Sequence, residues 1–199
     1  MPDALYVEIV IRADLDRVWQ LTQDPALHGR WDARFSRIEP EPATDGPQRF
    51  RYERSLPFHV IRGTGISLGE RVAEGRRTSA LRFATRDPLS PLQSGRGYWR
   101  YTSTEDGVVF VTGYDYDPGR WALLDRLVIR RLVGWMTAWS FDRLRIWAER
   151  GEPPERWPLI SALAFWRPER PRAARCLRAP RRGHAMQDAP ASLDRLEAP

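Results

Sequence analysis

Three histidines, His28, His59 and His184, are the side chains whose ordinary titration range best suits acid/base chemistry, and they lie far apart in the chain. No HExxH helix, paired-cysteine spacing or GxSxG turn accompanies them, so neither a protein-bound metal nor an activated serine is expected. Gly63, Gly65 and Gly69 sit in a strand-rich stretch with no helix directly after them, the wrong setting for a dinucleotide loop, and no cofactor is expected. Catalytic residues are left unassigned. The candidate polar contacts are His28, in the segment PALHGRWD, and Arg131 and Asp142, which flank an apolar helical stripe. Each has a plainer reading, His28 as a turn residue and the other two as salt-bridged rim residues. Whether His59 or Arg62 points inward depends on a strand register that the sequence leaves open.

The apolar candidates are denser. Asp106-Gly107 reads as a two-residue hairpin loop between YWRYTS and VVFVTGYDY. That register sets Trp99 opposite Tyr114 and Tyr101 opposite Thr112, with Phe110 and Tyr116 on the same sheet face as an aromatic wall. Asp117-Pro118 then starts a helix that runs to about Arg150, where Gly151 and Pro153-Pro154 stop it. At helical spacing Trp121, Leu124, Val128, Leu132, Trp135, Trp139 and Ile146 form a stripe expected to face the sheet. Together these give the expected ligand contacts: Trp99, Tyr101, Phe110, Tyr114, Tyr116, Leu132, Trp135 and Trp139.

The elements that must hold this wall and stripe are also legible. ALYVEIVIRA, residues 4–13, alternates as a half-buried strand with Leu5, Val7, Ile9 and Ile11 inward. Asp14 and Asp24-Pro25 are helix starts, predicting two short helices that end near Trp31. From Phe35 to Tyr116, turn signals at Asp45-Gly46-Pro47, Leu56-Pro57, Glu74-Gly75, Asp87-Pro88 and Glu105-Asp106-Gly107 predict an antiparallel meander. The long helix is apolar on its other sides too, at Leu127, Val133, Met136 and Leu144. It therefore needs a second cover, either the segment Trp157 to Trp166 or a homodimer partner.

Composition bounds the rest. The chain has 199 residues with 42% hydrophobic content and nine tryptophans, enough for one domain with a substantial core. The single Cys176 makes no internal disulfide, Glu8 and Arg12 interrupt any leader-like run, and charges break the stretch from Trp121 to Trp147, so a cytoplasmic protein without a transmembrane segment is expected. The net charge of +6 is carried entirely by arginine and is concentrated after position 150, which argues against sequence-specific nucleic-acid binding. Residues 1–151 are read as the domain, 152–166 as an apolar extension packing on the long helix, and 167–199 as an Arg/Pro-rich, largely disordered tail.

Two stretches carry a family resemblance: IRADLDRVWQLTQDPALHGRWD, residues 11–32, and GVVFVTGYDYDPGRWALLDRLVIRRLVGWMTAWSFDRLRIW, residues 107–147. Both resemble the SRPBCC superfamily of START-like, Bet v 1-like and polyketide cyclase/dehydrase proteins. The resemblance implies an α+β helix-grip fold, with about six or seven antiparallel strands wrapped around a long C-terminal helix and two short helices after the first strand. It also implies a cavity for a small hydrophobic ligand such as a lipid, polyketide or aromatic. The expected function is binding, transport or sequestration of that ligand. The alternatives are a metal-free cyclase or dehydratase working in the same cavity, and a protein- or membrane-surface module using the Arg-rich tail.

Overall fold

The alternation in LYVEIVI makes Leu5–Ile11 the first strand, β1, with Val7, Ile9 and Ile11 buried on one face and Val10 exposed on the other. The computed structural model describes residues 4–42 and 46–199, so Asp45 of the first expected turn lies outside the described residues. After β1 come α1 (Leu15–Gln23) and α2 (Pro25–Trp31). Asp24 caps α2 by accepting the Ala26 N–H, and Pro25 occupies the first helical position, where a missing N–H is harmless. Six strands follow: β2 (Arg37–Pro40), β3 (Gln48–Leu56), β4 (His59–Ala73), β5 (Arg76–Ala84), β6 (Ser94–Thr104) and β7 (Gly107–Asp117). All pair antiparallel in one seven-stranded sheet of order β1-β7-β6-β5-β4-β3-β2. The chain has the α+β helix-grip fold expected of it.

The β6–β7 hairpin differs from its expected register. Thr104 pairs with Gly107, so the loop is Glu105-Asp106, and Trp99 faces Thr112 while Tyr101 faces Phe110. Gly107 has φ +119, a conformation that falls to glycine, and it does so on the strand side of the loop. A shift of two residues keeps every side chain on its face, so the aromatic wall survives with different partners.

The C-terminal helix is not continuous. A turn at Gly119–Trp121 and a single α turn, α3 (Ala122–Leu124), lead into a π-helical turn at Asp125–Ile129, where the Arg130 N–H reaches back to the Asp125 carbonyl; α4 then runs Arg130–Arg150. The extra residue rotates the helix before it relative to the helix after it. The expected inward stripe is thereby split, with Leu124 and Val128, before and within the turn, exposed and Trp139 and Ile146 buried; Leu132, in the first turn of α4 itself, is exposed too. Buried Asp125 fixes the turn by accepting from the Tyr116 hydroxyl and from Arg130 Nε, the latter at 2.9 Å. Gly151 ends α4 at φ +69 as expected.

The extension packs on α4 only in part, through Pro154, Trp157 and Ala162, and the tail is placed otherwise than expected. Of Trp157 to Trp166, only Trp157 is fully buried, and Ile160, Leu163, Phe165 and Trp166 are exposed. Residues 172–176 pack along α4, where the Arg172 N–H and Arg175 Nη1 reach Asp142 and Cys176 Sγ reaches the Ala138 carbonyl, and the chain from Leu177 on is laid against the sheet. Leu177 exchanges backbone hydrogen bonds of 2.9 Å with Glu8, covering the β1 edge, which would otherwise present unpaired N–H and C=O groups. Ala185 then packs with Tyr6 and Val111, and Leu193 and Leu196 with Ile66 and Ala80, on the sheet face away from α4. Ion pairs Arg100–Asp188, Arg96–Asp194 and Arg49–Glu197 align them. Low apolar content hides this docking in the sequence, because three well-spaced apolar residues suffice when a sheet face is waiting to receive them.

Candidate functional site

The inner sheet face carries residues in register from edge to edge: Gln48–Ser67–Leu81, Phe50–Gly65–Phe83 and Gly69–Ser79–Trp99, on to Tyr101–Phe110–Ile9. Over β1, β7 and β6 it is covered by α4 and α1. Phe141 of α4 stacks on Phe110 with centroids 4.5 Å apart, and Phe110 stacks on Tyr101 at 4.9 Å. Trp31, Trp139 and Leu144 close the rest, all without solvent exposure. The space directly under α4 is therefore filled by protein.

The open space lies to one side, over β5, β4 and β3, beneath α2 and the end of α1. This cleft of about 270 Å³ is lined by Thr22, Gln23, His28, Phe50, Leu81 and Trp99, among others. One wall is apolar: Phe50, Leu81, Ile38 and the Trp99 ring. The other end is polar. Ser79 Oγ donates to Gln23 Oε1 (3.2 Å), Gln23 Nε2 donates to the Tyr101 hydroxyl (3.0 Å), and that hydroxyl lies 2.7 Å from Thr22 Oγ1. Burial pushes the Tyr101 phenol far above its ordinary value despite these bonds, so it stays protonated and offers no base.

His28 is the titratable group at the cleft. Its ring is enclosed by Trp31, Phe35 and Trp99 at centroid distances of 5.0 to 5.3 Å, and its Nε2 lies 3.1 Å from Asp32 Oδ2. Asp32 has no solvent exposure and also holds Arg34 through two guanidinium nitrogens, Nε–Oδ1 at 3.0 Å and Nη2–Oδ2 at 2.6 Å. Burial alone would raise the Asp32 carboxyl, but Arg34 and the His28 bond hold it well below the usual carboxylate range. Arg34 in turn lies over the Tyr114 ring at 5.3 Å. With Nε2 turned to Asp32, Nδ1 is the ring nitrogen not held by that carboxylate.

Of the residues expected to touch a ligand, Trp99 and His28 line the cleft. Tyr101 contributes through its hydroxyl network, while Phe110 and Trp139 are sealed in the core. Tyr114 bonds Thr137 (2.7 Å), and Tyr116 is engaged by Asp125 under a separate cluster with Val133. Trp135 is partly buried against the core, whereas Arg131 and Leu132, in the first turn of α4, are exposed. Asp142 is a structural anchor: fully buried, it accepts from Arg145 Nε, the Arg172 backbone N–H and Arg175 Nη1, each at 2.7 Å. The β3–β5 lining, with Thr22 and Gln23, was missed. Its signal was the facing pattern of Phe50 and Tyr52 against Gly65 and Gly63, readable only once the β3–β4 register is known. Among the described residues, no group of three or more His, Cys, Asp or Glu could hold a metal, and no helix is long and apolar enough to cross a membrane.

A family model described as "Polyketide cyclase / dehydrase and lipid transport" matches residues 3–148. A Bacillus subtilis (strain 168) protein named YndG, described as an uncharacterized membrane protein, is 42% identical over 172 residues. That match covers 81% of this chain, and the chain spans 62% of the relative's length. Among solved structures, a STAR-related lipid transfer protein fragment from Xanthomonas axonopodis superposes with a TM-score of 0.55 at 20% identity, covering 69% of this chain and 81% of that one. The Zhui aromatase/cyclase from a Streptomyces species gives 0.51 at 14% identity, covering 75% and 98%. At these identities the likeness is one of fold.

Proposed function

We propose that this chain, which belongs to the polyketide cyclase/dehydrase and lipid transport family, binds a small, largely apolar ligand with one polar end in the cleft between α2 and strands β3 to β5. The observation that carries this reading is the two-ended lining. Phe50, Leu81 and Trp99 offer burial at one wall, while Gln23, Ser79 and His28 can orient a carbonyl or hydroxyl at the other. The volume is just under the range of about 300–1,000 Å³ usual for drug-sized ligands, which suits one or two rings or a short chain rather than a long acyl tail.

The test is titration with a small aromatic fluorophore, backed by native mass spectrometry of freshly purified protein for a co-purified molecule. Trp99→Ala should weaken probe binding at least several-fold, and Leu81→Trp should abolish it by filling the space. Unchanged affinity in both variants would overturn the reading.

A second reading, acid/base catalysis on the bound molecule, is favoured by the His28–Asp32–Arg34 chain. A carboxylate kept ionised by Arg34 holds the imidazole by Nε2 and leaves Nδ1 to take a proton from an enolizable substrate. His28→Gln should then abolish turnover while sparing probe binding. Equal loss of both would leave His28 a binding residue.

A further inference from the structure

Two stretches of the chain expose large apolar side chains, and within each the exposed charged residues are arginines. The first is the outward face of α3, the π-turn and the start of α4, where Leu123 (75% exposed), Leu127 (58%), Leu124, Val128 and Leu132 recur at i, i+4 spacing. The second follows Trp157, where Ile160, Leu163, Phe165 (76%) and Trp166 (68%) face outward. Both lie along α4. The second stretch is tied to it at each end, by Arg143 Nε to the Pro154 carbonyl (2.9 Å) and by Arg175 to Asp142 (2.7 Å). Between those ties, Ala162 packs against the same core as Trp135 and Met136. Exposed apolar side chains in such number mark an interaction site.

Charge selects the occupant. Arg120, Arg126 and Arg131 are exposed in the first stretch, and Arg167 directly follows the second. From Pro118 to Phe141 the one acidic residue is Asp125, which is buried against Tyr116 and Arg130, and from Arg156 to Pro168 there is none. Pairing with a second copy about a two-fold axis would set mostly arginine against arginine, with only Asp117, Glu169 and the Arg30-bound Glu155 at the margins to meet it. A surface rich in phosphate or anionic headgroups meets both the charge and the apolar side chains.

We propose that this arginine-flanked apolar surface docks the domain onto an anionic lipid bilayer, with Leu123, Leu127, Phe165 and Trp166 entering the headgroup and acyl boundary and Arg126 and Arg131 pairing with lipid phosphates. It shares no lining residue with the ligand cleft, so it stands or falls independently of the binding reading.

Sedimentation of the full chain with phosphatidylcholine vesicles, with and without phosphatidylglycerol, tests it. Binding is expected to the anionic vesicles, to be weak or absent on phosphatidylcholine alone, and to decline with added salt. Arg126→Glu with Arg131→Glu, and separately Phe165→Ser with Trp166→Ser, should each lower vesicle affinity by about tenfold or more while leaving circular dichroism unchanged. If a variant misfolds, quenching of wild-type tryptophan fluorescence by brominated anionic lipid reads the same insertion without any substitution. Absent, salt-insensitive or lipid-independent binding by the folded wild type would overturn the proposal. So would a dimer in light scattering that Phe165→Ser with Trp166→Ser breaks without any change in vesicle binding.

Discussion

The rings of Phe110 on β7 and Phe141 on α4 stack with their centroids 4.5 Å apart and their planes 20° from parallel. This contact decides where a ligand can go, because it fills the middle of the grip and leaves the cleft to the side. Removing the Phe141 ring should leave a void that the packed neighbours cannot close. Phe141→Ala is expected to lower stability by about 3–5 kcal/mol in urea unfolding and to add a second, apolar site for a fluorescent probe. A much smaller loss without new probe binding would mean that α4 collapses onto the sheet.

Asp32 supports a prediction with a defined direction in pH. Its carboxyl is held below its ordinary value in the folded chain, so the stabilisation is fully present above the unfolded value of about 3.9 and is lost as pH falls below it. Asp32→Asn should flatten that acid limb. At neutral pH it should cost about 3–5 kcal/mol, because Arg34 is left buried without its partner. Urea midpoints followed from neutral pH down through the carboxylate range check both. Parallel acid limbs in the two proteins would remove Asp32 as their source.

The sequence was most informative where local rules act alone. The Asp24-Pro25 start of α2, the Gly151 stop of α4 and the parity of β1 were all readable, because cap chemistry and alternation need no distant partner. The candidate site was only half legible for the opposite reason. Trp99 could be placed on the inner face, but the neighbours that complete its cleft, Phe50, Ser67 and Leu81, come from strands whose register is set by long-range pairing. The π-turn at Asp125–Ile129 was invisible because its cause, the buried meeting of Asp125 with Tyr116 and Arg130, joins a helix to a strand.

The tail gives a third prediction. Leu193 and Leu196 are almost without solvent exposure against Ile66 and Ala80, and Tyr98 donates to the Ala185 carbonyl at 3.0 Å. Truncation after Arg182 should therefore lower the melting temperature and expose the outer sheet face to aggregation. Leu193→Ala alone should cost about 2 kcal/mol or more. An unchanged melting temperature in the truncated protein would show that the strap adds nothing to stability.

Two glycines separate cleft shape from backbone strain. At Gly65 a Cβ would lie 2.2 Å from the Phe50 ring, so Gly65→Ala must push that ring out of place in the lining of the cleft. At Gly151 nothing lies within 4 Å of a Cβ, but φ is +69, so Gly151→Ala meets only backbone strain of about 1–2 kcal/mol at the end of α4. Both variants should be less stable, Gly65→Ala by about 1–3 kcal/mol from overpacking. Only Gly65→Ala should change the affinity for a small aromatic probe. Calorimetric stability and probe titration on the same two proteins make the comparison, and an affinity change in Gly151→Ala equal to that in Gly65→Ala would mean that general loosening, rather than the Phe50 ring, governs the cleft.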